Sequence, residues 1–176
     1  KLSNDGLCLL CLDGGGSRAV IACQILKAIE EKMKQLSPTC GPLTSYFDYI
    51  AGTSAGGITA LSLVHAEVSI DSSLTLSLKV IDKSLKSNPP SPTENTKAIE
   101  GCLKDHFTPD KTMVDVTQPR VMIMTTLVDR HPPALHIFRN YGNEPRVGPP
   151  LKTKVWEAAR ATSAAPAFFH YFDNKC

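Results

Sequence analysis

The chain predicts a mostly parallel α/β sheet, and three observations carry that expectation. Leu7-Cys8-Leu9-Leu10-Cys11-Leu12 is an unbroken apolar run, the pattern of a strand buried on both faces. It stops at Asp13-Gly14-Gly15-Gly16 and gives way to helical periodicity. The order then repeats: Phe47 to Ala51 reads as a short strand, Gly52 to Gly57 as a sharp glycine turn, and Ile58, Leu61 and Val64 as the start of a helix. Strand, glycine turn and helix twice in succession is how parallel strands are joined.

Each further element follows from local chemistry. In the first helix Ala22, Leu26, Ile29, Met33 and Leu36 recur at alternating intervals of four and three, which gives an apolar stripe for the core. Ser37-Pro38 closes it. Residues 71 to 86 have helical character, and Asn88-Pro89-Pro90 must break it. Ser91-Pro92-Thr93-Glu94 supplies an N-cap serine, a proline at the first helical position and a glutamate three residues on, so a helix is predicted to Phe107. Arg120 to Leu127 and Ala134 to Tyr141 read as strands of a hairpin joined through Asp129-Arg130-His131-Pro132-Pro133. Asn143 to Pro150 reads as a loop and residues 153 to 163 as a helix. Pro166 and the apolar Ala167-Phe168-Phe169 follow.

Bulk composition excludes several classes. With 176 residues and 42% hydrophobic content the chain carries one sizeable core and is not disordered. A net charge of +2 without a clustered basic face argues against a nucleic-acid partner. No apolar run is long enough to span a bilayer. Of the six cysteines, Cys8, Cys11 and Cys23 sit in apolar strand and helix patterns and read as small buried hydrophobes. Reduced thiols in a cytosolic protein are expected, because Cys8 and Cys11 in one strand point to opposite faces and cannot make a redox turn. No His, Cys or carboxylate cluster has metal-ligand spacing, so no metal is expected. The chain starts at Lys1 and ends at Cys176 directly after an apolar run, which reads as a piece of something longer.

The chemistry concentrates at two glycine turns. Gly52-Thr53-Ser54-Ala55-Gly56 fits the nucleophile-elbow pattern, in which small residues let the chain turn sharply from strand to helix and leave a strained, exposed serine at the helix N-terminus. Taken alone, the pattern also fits a structural turn whose serine caps a helix. Asp13-Gly14-Gly15-Gly16-Ser17-Arg18 ends the preceding strand, and its three glycines allow successive N–H groups to face one concavity, as an oxyanion hole requires. Arg18 begins the next helix and is expected to pin the loop. A dinucleotide fingerprint is the rival reading of Gly14 to Ala19, but that fold needs an acidic residue closing the second strand. Glu30 and Glu31 lie in the helix and Asp48 precedes most of the strand, so that reading loses. The histidines His65, His106, His131, His136 and His170 occupy no recognisable triad setting and read as surface or packing residues. Lys152, Lys154, Arg160, Arg139 and Arg146 give a mild basic bias read as a solvated face.

Together the two turns resemble the patatin-like phospholipase family, nearest in motif to the catalytic domain of the group VI calcium-independent phospholipases A2. The likeness also takes in Asp129-Arg130 with Leu135 to Tyr141, and Val155-Trp156-Glu157-Ala158-Ala159-Arg160 with Ala164-Ala165-Pro166. It implies a three-layer α/β/α fold with a mostly parallel sheet, truncated at the C-terminus, with residues 1–176 forming a partial domain. It further implies hydrolysis of fatty acyl esters of glycerophospholipids by a serine–aspartate dyad without a cofactor, in a cytoplasmic protein that meets its phospholipid substrate peripherally at a membrane. By position Ser54 is then the nucleophile and Gly14, Gly15 and Gly16 the oxyanion loop, supported by Asp13 and Arg18. Two departures stand out. Ala19 replaces the last glycine of the loop motif, one methyl more. The family's aspartate lies in an Asp-Gly-Gly or Asp-Gly-Ala turn soon after Ala-Ala-Pro, and none follows here; Asp173 is succeeded by Asn174 and Lys175 and reads as a solvated loop carboxylate. The aspartate is therefore expected beyond Cys176, and residues 1–176 alone are expected to be inactive and poorly soluble. A lipase or thioesterase of the same fold, and a non-catalytic lipid-binding module, remain alternatives.

Overall fold

The protein is described by a computed structural model for residues 6–66, 69–84, 91–142, 152–173 and 176. Among them, strands β1 (Leu9–Leu12), β2 (Tyr49–Thr53), β3 (Arg120–Leu127) and β4 (Ala134–Arg139) form one sheet in that order. The first three strands run parallel and β4 returns antiparallel to β3, giving the mostly parallel α/β sheet the sequence predicts. The helices are α1 (Ala19–Leu36), α2 (Ser54–His65), α3 (Ile70–Ser84), α4 (Pro92–Phe107) and α5 (Val155–Thr162).

Helix α2 is the centre of the molecule. Every residue from Gly56 to His65 is buried, as required of a helix apolar on all sides. It lies on β1, β2 and β3 and is covered by α1, α3 and α5. Leu12, Ile50, Val121 and Ile123 meet Ile58 and Leu61 in one core. The strand–helix junction is tighter than the sequence suggests. Strand β2 continues through Gly52 to Thr53 and α2 begins at Ser54, so the turn read over Gly52 to Gly57 is compressed into one residue with φ of 52°.

Two core assignments need correction. Strand β1 is not buried on both faces: Leu7 is 76% and Leu9 50% exposed, and Cys8 and Cys11 are exposed rather than buried. The reason is position, since β1 is the first strand of the sheet and, among the described residues, pairs only with β2. Helix α1 carries a second apolar stripe that the interval of four and three does not distinguish from the first. Ala19, Cys23 and Leu26 are buried, Ala22 and Met33 pack partly against the core, and the predicted Ile29 and Leu36 face outward with Ile21 and Ile25.

The remaining elements fall close to expectation. Helix α4 starts at Pro92 with Ser91 as N-cap; its closing bond is from the Asn95 N–H to the Ser91 carbonyl at 2.9 Å, not from a serine side chain. The hairpin pairs Met122 with Arg139 through to Leu127 with Ala134. It ends before Tyr141 because Asn140 turns inward. Asn140 Oδ1 accepts the Val121 N–H at 2.7 Å, and Asn140 Nδ2 donates to the carbonyls of Val116 and Pro119. Helix α3 begins at Ile70; the tail at 85–86, the breaker at 88–90, the 143–150 loop and Arg146 lie outside the described residues. No helix of the described residues is long and apolar enough to cross a membrane.

His65, the last residue of α2, is fully buried, and neither ring nitrogen has a hydrogen-bond partner among the described residues. Burial favours the neutral ring, with the Lys111 charge adding to it, and its pKa falls from 6.5 to about 4. A depressed histidine stabilises the fold fully above pH 6.5, and that contribution is lost as pH falls toward 4. At pH 5 the ring is protonated in the unfolded chain but still largely neutral in the folded one, a difference expected to cost about 2 kcal/mol of stability. Urea unfolding at pH 7.5 and pH 5 checks this: His65→Leu should lose less stability between them than the parent, and equal losses would show that His65 is not the acid-sensitive group.

Candidate active site

The site is assembled where β1 and β2 end side by side. Their register pairs Leu12 with Gly52, so the Asp13–Gly16 loop and Ser54 leave the same end of two adjacent parallel strands, where ligands of open α/β sheets bind. Ser54 occupies the left-handed region, which turns its side chain out of the strand. The glycines around it are set by close approach. A Cβ on Gly52 would lie 2.6 Å from the Gly56 carbonyl oxygen, and one on Gly56 only 2.1 Å from the Leu12 carbonyl oxygen and 2.5 Å from that of Asp13. Only hydrogen fits where α2 crosses the ends of β2 and β1.

The glycine loop lies against the serine. A Cβ on Gly14 would come within 3.0 Å of the Ser54 Cβ and 3.2 Å of the Thr53 carbonyl oxygen. Gly15 and Gly16 have φ of 147° and 57°, conformations that side-chain-bearing residues rarely adopt. Gly16–Arg18 form one 3₁₀ turn before α1, and the Arg18 N–H donates to the Gly15 carbonyl at 3.2 Å. The Arg18 guanidinium folds over the same glycine, where a Cβ would sit 2.8 Å from its Nε. The Arg18 side chain thus lies against this loop, and the Asp13 side chain is exposed.

Ser54 and Ala55 line a cavity of about 360 Å³ together with Gly15, Gly16 and Ser17. The rest of its wall is largely apolar and includes Ile58, Val80, Ile81, Ile99, Phe168 and Phe169. A mostly apolar lining beside a serine and a glycine turn suits an amphiphilic molecule. Among the described residues no carboxylate or imidazole lines this cavity. His106 instead meets Ser62 at 2.7 Å, and the exposed His170 ring meets Thr93 at 3.0 Å. His136 stacks edge-on against Phe138, and His65 is enclosed at the other end of α2. Asp173 is exposed at φ of 50° and is not part of the lining. Among the described residues no three His, Cys, Asp or Glu side chains gather into a metal-ligand set.

Two residues of the site were not found by reading the sequence. Arg160, assigned to a solvated face, is fully buried. Its Nη2 donates to the His170 carbonyl, its Nε lies 3.4 Å from Glu100, and its guanidinium rests over Phe169. It fastens the segment carrying Phe168 and Phe169 to α4, which forms part of the same wall. Burial works against its charge and Glu100 supports it. The other is Thr162, whose hydroxyl touches the Ser54 backbone. Nothing at position 162 signals a contact 108 residues away.

Comparison with known proteins bears on the family and the fold. A patatin-like phospholipase family model matches residues 10–176. The rat 85/88 kDa calcium-independent phospholipase A2 is 37% identical over 96% of this chain, and human calcium-independent phospholipase A2-gamma 32% over 93%. The chain spans only 21% and 22% of their lengths. Patatin-like protein 1 of Arabidopsis thaliana is 32% identical over 95% of the chain and 44% of its own length. Among solved structures, ExoU in its heterodimeric complex with SpcU from the Pseudomonas aeruginosa type III secretion system matches with a TM-score of 0.55 at 22% identity, over 93% of this chain and 37% of that one, a likeness of fold. The chain belongs to the patatin-like phospholipase family.

Proposed function

We propose that residues 1–176 form part of the catalytic domain of a calcium-independent phospholipase A2-type serine acyl hydrolase that cleaves fatty acyl esters of glycerophospholipids. The observation that carries this is the close approach of Gly14 to Ser54, where an added Cβ would lie 3.0 Å from the Ser54 Cβ, beside a largely apolar cavity that Ser54 lines. In this reading Ser54 Oγ attacks the ester carbonyl and the carbonyl carbon becomes tetrahedral. N–H groups of Gly14, Gly15 and Gly16 receive the oxyanion, aided by the positive end of α2. Collapse expels the lysophospholipid alcohol, which takes up the proton removed from Ser54. Water then attacks the acyl-serine and releases the fatty acid.

The serine proton needs a base, and none of the described residues lining the cavity supplies one. We assign that role to an aspartate beyond Cys176, completing a Ser–Asp dyad. Gly52, Thr53, Ala55 and Gly56 form the elbow. The apolar wall holds one acyl chain, and a cytoplasmic protein docking peripherally on a membrane is the setting in which such a cavity meets its substrate. The test is exposure of the intact protein to a fluorophosphonate, with chelator present, followed by peptide mapping. An adduct on Ser54 supports the reading. An adduct elsewhere overturns it, and lipid binding without labelling or turnover would instead favour a non-catalytic module.

A further inference from the structure

We infer that Thr162 is a positioning residue for the reaction, holding the Ser54 elbow in its strained conformation; this rests on Ser54 being the nucleophile. The first N–H groups of a helix have no partner within it. At the start of α2 the N-cap residue, Thr53, makes no side-chain cap bond. The acceptor comes from the far end of another helix: Thr162, the last residue of α5, takes the Ser54 N–H on its Oγ1 at 2.7 Å. The same hydroxyl donates to the Met124 carbonyl on β3 at 2.6 Å. One side chain therefore fixes the elbow to the sheet, in an arrangement with a single hydrogen-bond direction at each end.

The methyl group matters as well. A Cβ on Gly57 would lie 2.9 Å from Thr162 Cγ2 and 3.3 Å from its Oγ1, so the first turn of α2 closes directly onto this side chain. The adjoining residue is anchored too, because the Ala161 carbonyl accepts the Thr125 hydroxyl at 3.1 Å. The end of α5 is thus pinned to β3 at two consecutive residues, and Thr162 transmits that position to Ser54. With its N–H committed to Thr162, Ser54 cannot donate that group to an oxyanion, which leaves the donors to the glycine loop and the following N–H groups of α2.

The test uses the intact protein and compares Thr162→Val, which keeps the shape and removes both hydrogen bonds, with Thr162→Ser, which keeps the hydroxyl. For Thr162→Val, fluorophosphonate labelling and kcat on phosphatidylcholine vesicles should fall on the order of 10- to 100-fold with KM unchanged, as expected for a displaced nucleophile. Thr162→Ser should stay within about threefold of the parent, since the acceptor for the Ser54 N–H survives. Labelling of Thr162→Val at the parental rate, or a fall in Thr162→Ser equal to that of Thr162→Val, overturns the inference while leaving Ser54 as nucleophile. Equal labelling of the parent and Ser54→Ala would remove the nucleophile assignment and this inference with it. Should Thr162→Val fail to fold, Gly57→Ala decides the matter: it crowds the threonine methyl, so it should slow labelling, and Thr162→Ser in the same chain should restore it. No restoration overturns the inference.

Discussion

Replacing Ser54 with alanine is expected to lower phospholipid hydrolysis by the intact protein on the order of 10⁴- to 10⁶-fold, with folding unchanged. The magnitude follows from what hydroxyl-nucleophile enzymes lose when the attacking group is deleted, the remainder being what the oxyanion hole and binding contribute alone. The structure explains why folding should survive. The contact that anchors this residue is made by its backbone N–H to Thr162, which alanine retains. Its φ of 52° is equally strained for serine and alanine, so no new backbone cost arises. No hydrogen bond of the serine hydroxyl to a described residue is lost either, because the Ser54 contact among them is the backbone one. Thermal unfolding and vesicle binding should therefore match the parent while turnover and fluorophosphonate labelling vanish. Turnover within tenfold of the parent would remove Ser54 from the mechanism.

The parts of this site legible in the sequence are those that backbone sterics write locally. Gly52 and Gly56 can be found from sequence because a sharp strand-to-helix turn admits only small residues within a few positions. Gly15 and Gly16 are legible for a related reason, their left-handed conformations. Arg160 and Thr162 escape because their roles depend on what the end of α5 meets after the chain has folded back on α4, β3 and α2. An arginine in a basic stretch looks the same whether it is solvated or enclosed beside Glu100. Apolar patterning fails in the same way at the periphery. Leu7-Cys8-Leu9 reads as doubly buried because sequence records hydrophobicity and not whether a strand lies at the margin of a sheet. Helix α1 offers two apolar stripes, and only docking chooses between Cys23 and Ile25.

The closest packing in the site yields the second large effect, on stability rather than chemistry. Gly56→Ala is expected to destabilise the protein by about 3 kcal/mol, the upper part of the range for overpacking. The clash is with backbone: the new Cβ would lie 2.1 Å from the Leu12 carbonyl oxygen and 2.6 Å from its carbon. A flexible side chain can swing aside, but β1 is held by its ladder with β2, so α2 has to lift from the sheet. That movement separates Ser54 from Gly14, which nearly touch, so activity should fall along with stability. Gly101→Ala is the matched control. This glycine lies within α4 with nothing within 4 Å of an added Cβ. Higher helix propensity should then stabilise the protein by about 1 kcal/mol. Urea unfolding midpoints moving in opposite directions for the two variants is the expected result, because one alanine meets backbone and the other meets space. A Gly56→Ala midpoint equal to the parent would mean that α2 does not sit on the end of β1 as described, and the contact between the glycine loop and the serine would fall with it.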